Sequence, residues 1–111
     1  KNLIKIEQGF TPRSQNCIYV IYCIKCGIKY IGETKNTLKT RMTQHRYNIR
    51  NEKEMDTLLV QHFVGHGLDS MRWAGLERNI NWTTWERKKK ERYWINFIGN
   101  MDPKRPTSFR G

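Results

Sequence analysis

Two apolar runs rich in β-branched and aromatic residues, Cys17–Tyr22 (CIYVIY) and Ile28–Gly32 (IKYIG), stand five residues apart. Such side chains fit a pleated, half-buried surface. The spacer Cys23–Gly27 is far too short for a crossover, so the runs are predicted to pair as an antiparallel hairpin. The rest of the chain has to pack on that ribbon. Residues 1–16 read as an irregular polar lead-in broken by Pro12, with a short strand near Leu3–Ile6. Asn36 or Thr37 suits the N-cap of a helix running to about Arg50, with Leu38, Met42 and Ile49 on one stripe. A short helix over roughly 56–65 carries Leu58, Leu59 and Phe63, and residues 70–78 read as a third strand, interrupted by Gly75. Thr83-x-x-Glu86 is a capping box that opens a last helix of about 15 residues ending near Gly99, beyond which Pro103 and Pro106 forbid more helix. The predicted order is β-β-α-α-β-α, with residues 104–111 as a polar basic tail. A chain of 111 residues suits one domain with a single small core.

The tip of the hairpin is unusual. Cys23-x2-Cys26-Gly27 is a metal-knuckle pattern: two thiolates converge on one ion, and the glycine permits the tight turn. Downstream, QHFVGHG puts His62 and His66 one turn apart on one face of the second helix. Together they make a closed Cys2His2 set for tetrahedral zinc. The spacer between the pairs exceeds the roughly 12 residues of a DNA-binding finger, so the zinc is expected to staple the tip to that helix and take no part in chemistry. The chain holds three cysteines, an odd number that argues against a disulfide framework. Cys17 reads as a buried thiol on the first strand.

Lys and Arg number 21 against 10 acidic residues, a formal charge of +11. That excess favours a polyanionic partner, nucleic acid first and an anionic membrane surface second. No apolar run is long enough to span a bilayer, and no signal-peptide pattern opens the chain. A start at Lys1 rather than Met fits a fragment of a longer protein.

On the first helix, at about 100° per residue, His45 falls within the apolar stripe and Arg41 on its edge, while Lys39, Arg46 and Arg50 line the other edge. A guanidinium beside a core stripe calls for a carboxylate or phosphate, unless it snorkels to water. On the last helix, Glu91 shares a face with Trp94, Ile95 and Ile98. A carboxylate on an apolar face needs a cation, and either a salt bridge or a hard ion such as Mg²⁺ would serve. The run Arg87-Lys88-Lys89-Lys90 reads as a solvated surface and, beside a metal site, as a phosphate-contact patch.

Ile18-Tyr19 followed by Tyr30-Ile31-Gly32 resembles the paired signature of the GIY-YIG endonucleases, and Arg41, His45 and Glu91 match that family's other functional positions in order and approximate spacing. The resemblance is closest to the endonuclease domain of Penelope-like retroelements, which carries two cysteines between the tyrosine motifs and a later His pair, as Cys23, Cys26, His62 and His66 do here. It covers Cys17 to Pro103. Two positions depart from the pattern: Cys17 stands where the first glycine is usual, and Thr107 stands near the usual place of a late asparagine.

The resemblance implies a small three-stranded antiparallel sheet flanked by helices, an α+β fold. It implies one Mg²⁺ or Mn²⁺ held by Glu91. The implied reaction is hydrolysis of DNA to 5′-phosphate and 3′-hydroxyl ends, the latter priming reverse transcription by a fused reverse transcriptase in the nucleus. Arg41 would neutralise the phosphorane, with Tyr19, Tyr30 and His45 all open as the group that handles the water's proton. DNA would lie on Lys35, Lys39, Arg46, Arg50, Arg87, Lys88, Lys89 and Lys90, contacts that carry little sequence information. The competing expectation is a zinc-stapled nucleic-acid-binding module that has lost catalysis.

Overall fold

A computed structural model describes residues 10–101 and 107–108, so the strand expected near Leu3–Ile6 lies outside the described residues. The hairpin forms as predicted: β1 (Gln15–Cys23) pairs antiparallel with β2 (Lys29–Thr37). Gly27, at φ 80°, closes the tip by donating to the Cys23 carbonyl at 2.8 Å. The second strand runs past Gly32 to Thr37 because β1 offers Ile18 and Cys17 as ladder partners to Glu33 and Thr34, polar residues that local pattern would not place in a strand. β3 (Met71–Arg78) joins the other edge of β1, also antiparallel. A two-residue strand β4 (Thr107–Ser108), in the stretch expected to be tail, pairs parallel with Lys29 and Tyr30, so the sheet order is β3-β1-β2-β4.

Three helices cover the sheet. Thr37, not Asn36, caps α1 (Leu38–Arg50), its hydroxyl accepting from the Thr40 N–H at 3.1 Å. Thr57 caps α2 (Leu58–His66), which ends at Gly67 with φ 92° and passes through a 3-10 turn, Leu68–Ser70, into β3. The predicted capping box opens α3 (Thr84–Met101): Glu86 Oε1 accepts from Thr83 N–H at 2.9 Å, and Thr83 Oγ1 from Glu86 N–H at 3.2 Å. Among the described residues no helix is long and apolar enough to cross a membrane.

β1 is central and buried on both faces, which is why its sequence is apolar almost without a break. Alternate residues feed two cores. Cys17, Tyr19, Ile21 and Cys23 face α1 and α2, meeting Leu38, Met42, Leu59 and Phe63. Ile18 and Val20 face the other way, meeting Ile31, Leu76 and Ile98, with Trp94 and Ile95 packed against them. Each fully buried large side chain contributes about 1.5–3 kcal/mol.

One polar network ties α3 to the hairpin, and it corrects the reading of Arg87 as a surface DNA contact. Arg87 is only 6% exposed; its Nε donates to Glu33 Oε1 of β2 and its Nη1 to Asn16 Oδ1 of β1, the latter at 2.6 Å. Asn16, at φ 53°, turns its amide onto the Asn79 and Trp82 carbonyls, both at 2.9 Å. A buried guanidinium is tolerated here because a carboxylate and an amide meet it. The network sets the height and rotation of α3, and Glu91 lies one turn further along that helix.

Candidate active site and metal cluster

Tyr19 is fully buried on the α1 face of β1. The register places Gly32 of β2 on one side of it and Gly75 of β3 on the other, so neither neighbour carries a Cβ. The phenol lies across Gly32, where an added Cβ would stand 2.4 Å from the Tyr19 hydroxyl. Real Cβ atoms do not approach that closely, so the glycine is what makes room for the tyrosine. Gly32→Ala is therefore expected to displace the phenol and, for the DNA cleavage expected from the sequence, to reduce it at least as much as Tyr19→Phe, with DNA affinity kept. Plasmid cleavage beside a binding titration checks this, and a fully active Gly32→Ala would count against the arrangement.

Two α1 residues one turn apart meet the Tyr19 hydroxyl. Arg41 Nε donates to it at 3.2 Å, and His45 Nε2 lies 3.0 Å away. The Tyr19 hydroxyl donates to His45 Nε2 in the tautomer that carries the imidazole proton on Nδ1, and accepts from it in the other. Arg41 also donates from Nη1 to Gln44 Oε1 at 2.7 Å. Burial pushes the Tyr19 phenol up to about 12, against the pull of Arg41, with the charges of Glu91 and Glu33 adding a little. Burial, and then the Arg41 charge, hold His45 down at about 3, so the imidazole is neutral at physiological pH. The sequence leaves open a snorkelling Arg41 and a bland core histidine; the structure brings both onto one phenol.

Glu91 approaches from α3 and is half-buried, near enough for its charge to act on Tyr19. Its helix face is the predicted one, with Ile98 buried and Trp94 and Ile95 packed on the second core. Three other acids are engaged elsewhere. Glu33 holds Arg87 and Lys88, Glu77 accepts from Trp94 Nε1 at 3.0 Å and pairs with Lys90, and Glu86 caps α3. A carboxylate of this kind could serve as one ligand of a Mg²⁺-type ion, which keeps several waters.

Tyr30 takes a different place from Tyr19. Its hydroxyl donates to the Leu58 carbonyl at 3.5 Å, and its ring packs on His62 and Phe63. Burial raises its phenol to about 12, with Cys26 and Cys23 adding to the rise. The hydrogen bond and ring contacts thus tie Tyr30 to α2 and the cysteine end of the hairpin.

That end holds the predicted cluster. The ligand atoms of Cys23, Cys26, His62 and His66 all lie within 4.8 Å of one another. Cys23 Sγ stands 3.5 Å from His66 Nδ1, and Cys26 Sγ stands 3.4 Å from His62 Nε2. Tetrahedral zinc with ordinary Zn–S and Zn–N bonds separates its S and N ligands by about 3.6 Å, so the donor set fits that ion. Burial alone would raise the Cys23 thiol; hydrogen bonds with His62, His66, Ser70 and the Cys26 backbone outweigh it and bring it down to about 5. Cys17 stays outside the cluster, fully buried, with burial pushing its thiol up to about 12.

The basic residues spread over the surface. Lys35, Lys39, Arg50, Lys88 and Lys89 are exposed, and Arg46 and Lys90 are half-buried. Lys39 and Arg46 line a cleft of about 600 Å³ that also touches Arg13, Met42 and Trp73. Sequence reasoning missed Asn16 and the tie of Glu33 to Arg87 because the partners are distant in sequence.

A family model described as the GIY-YIG catalytic domain matches residues 15–100, most of the chain. No curated protein and no solved structure matches it.

Proposed function

The chain belongs to the GIY-YIG catalytic domain family, a family of nucleases, and on that premise we propose that it is a metal-dependent DNA endonuclease that nicks target DNA to provide a 3′-hydroxyl primer for retroelement reverse transcription. The observation that carries this reading is the convergence of Arg41 and His45 on the Tyr19 hydroxyl, over Gly32 and within the field of Glu91. The retroelement context, with a fused reverse transcriptase and action at chromosomal DNA, is supported by the Cys/His cluster and the Glu91-x2-Trp94-Ile95 segment, which resemble the Penelope-like subgroup.

Tyr19 orients the attacking water, its oxygen fixed by Arg41. As the water attacks phosphorus, its proton passes to the Tyr19 oxygen while the Tyr19 proton passes to His45 Nε2. A phenol pushed up to about 12 is a poor base alone, and the relay avoids a free phenolate. In the absence of DNA the Arg41 charge helps to hold His45 down. A phosphate seated on Arg41 offsets that part and makes the imidazole a better acceptor when substrate is present. The same guanidinium neutralises charge on the pentavalent phosphorus. A divalent ion held by Glu91 would polarise the phosphate and stabilise the departing 3′-oxygen. The bond from phosphorus to that oxygen breaks and the oxygen takes a proton from a second water, leaving a 5′-phosphate and a 3′-hydroxyl. Tyr30, bound to α2 by its contacts, supports the hairpin rather than the proton transfer.

Supercoiled plasmid incubated with the protein and Mg²⁺ or Mn²⁺ is expected to become open-circular, with nicks that a polymerase extends directly. DNA bound without cleavage would favour the module that has lost catalysis. Negligible affinity at low salt would point to a protein-interaction domain instead. Backbone contact by Lys35, Lys39, Arg46 and Arg50 also predicts a linear fall of log affinity with log salt, each phosphate contact adding about 0.9 to the slope. Lys39→Ala and Arg50→Ala should each reduce it by about 1. Anisotropy titrations over a salt series check this, and affinity insensitive to salt would overturn the placement of DNA.

A further inference from the structure

The outer face of α3 is used by neither the Tyr19 site nor the Cys/His cluster. Trp85, Lys89, Tyr93 and Phe97 follow one another at intervals of four, so they form one ridge along the helix. Its three rings are exposed, Trp85 by 67%, Tyr93 by 53% and Phe97 by 36%. Cations interleave with them: Lys89 Nζ stands 4.4 Å from the Trp85 ring centre, and Lys90 Nζ 5.5 Å from that of Tyr93. Tyr93 and Phe97 lie nearly parallel, at 14°. A cleft of about 440 Å³ opens beside them, lined by Trp82, Trp85, Glu86, Lys89, Lys90 and Tyr93.

We propose that this ridge binds single-stranded DNA, stacking unpaired bases on Trp85 and Tyr93 while Lys89 and Lys90 meet the backbone. The core of a protein–protein interface is depleted in lysine, whereas here a lysine lies against each of two exposed rings. Rings for bases and cations for phosphates are the combination that holds single strands without sequence preference. A duplex keeps its bases stacked inside and offers such rings nothing to face, so the ridge discriminates between the two forms. The ridge lies on the helix that carries Glu91, on the face turned away from it. Binding there does not require cleavage.

The test uses an oligothymidylate of about 10 nucleotides, within the usual site size of single-strand binders, and a duplex of equal length. Both are titrated by anisotropy without divalent metal. Trp85→Ala and Tyr93→Ala are each expected to weaken single-strand binding about 5- to 150-fold, with duplex affinity within about twofold. Trp85→Phe should recover part of the loss. Both replaced side chains are exposed, so the fold survives, and a thermal melt verifies it. Equal losses for both DNA forms, or no loss for either, overturn the proposal. So does a concentration-dependent dimer that Trp85→Ala dissolves, since the ridge then belongs to a second copy. Plasmid cleavage by wild type, measured in parallel, reports on the nuclease reading separately.

Discussion

Glu91→Ala is expected to abolish plasmid nicking while leaving the fold and duplex affinity in place. The carboxylate is half-buried on an apolar helix face, and Glu33, Glu77 and Glu86 are committed to other partners, so none of these three takes over its role. Electrostatic stabilisation by a bound ion is worth several kcal/mol in the transition state, which is roughly 10³-fold or more in rate. Removing one anion from a chain of net charge +11 takes nothing from its attraction to DNA. Arg41→Ala should cost on the order of 10²–10³. Arg41→Lys should not restore activity, since an ammonium cannot hold the Tyr19 oxygen and a phosphate in one planar fork. The measurement is the rate of supercoiled-to-open-circular conversion, with a thermal melt as control. Cleavage by Glu91→Ala at a rate near wild type would remove the carboxylate from the chemistry.

The placement of Glu91 on the apolar face of α3 was legible in the sequence, because the spacing that puts it there is local. So are the β-branched and aromatic runs and the glycine turn that give the hairpin, the capping box of α3, and the two ligand pairs of the cluster. Arg87 shows the opposite case. In sequence it heads a run of four cations and looks solvated, yet its partners Glu33 and Asn16 lie 54 and 71 residues away. Burial of a charge is decided by what the topology brings against it, and no window along α3 contains that information. The same holds for the polar half of β2, recruited as a ladder partner of β1, and for β4, which carries too little pattern to announce itself. Tyr19 and Tyr30 look equivalent as motif tyrosines. Register separates them, placing one against Gly32 and the other against Ile21, with its ring on the histidine end of α2.

Stripping the metal from the Cys/His cluster should unfold the domain rather than merely slow it. A small domain is stable by about 5–15 kcal/mol in total, while a structural zinc in a Cys2His2 set contributes about 10–16 kcal/mol. The cluster joins the Cys23–Gly27 tip to α2, and Tyr30 and Phe63 pack on the His62 ring, so its loss opens the larger core at one end. A strong chelator, or Cys26→Ser, should therefore abolish the cooperative thermal transition near neutral pH. Nicking should disappear with it, because the hairpin register that sets Tyr19 opposite Gly32 is no longer held. Replacing the ion with Co²⁺ should restore both folding and cleavage, since a closed four-ligand site has no open position for chemistry. Elemental analysis of a freshly purified, folded sample should give about one zinc per chain. A folded sample with almost none, or a melting curve unmoved by chelation, would refute the structural role.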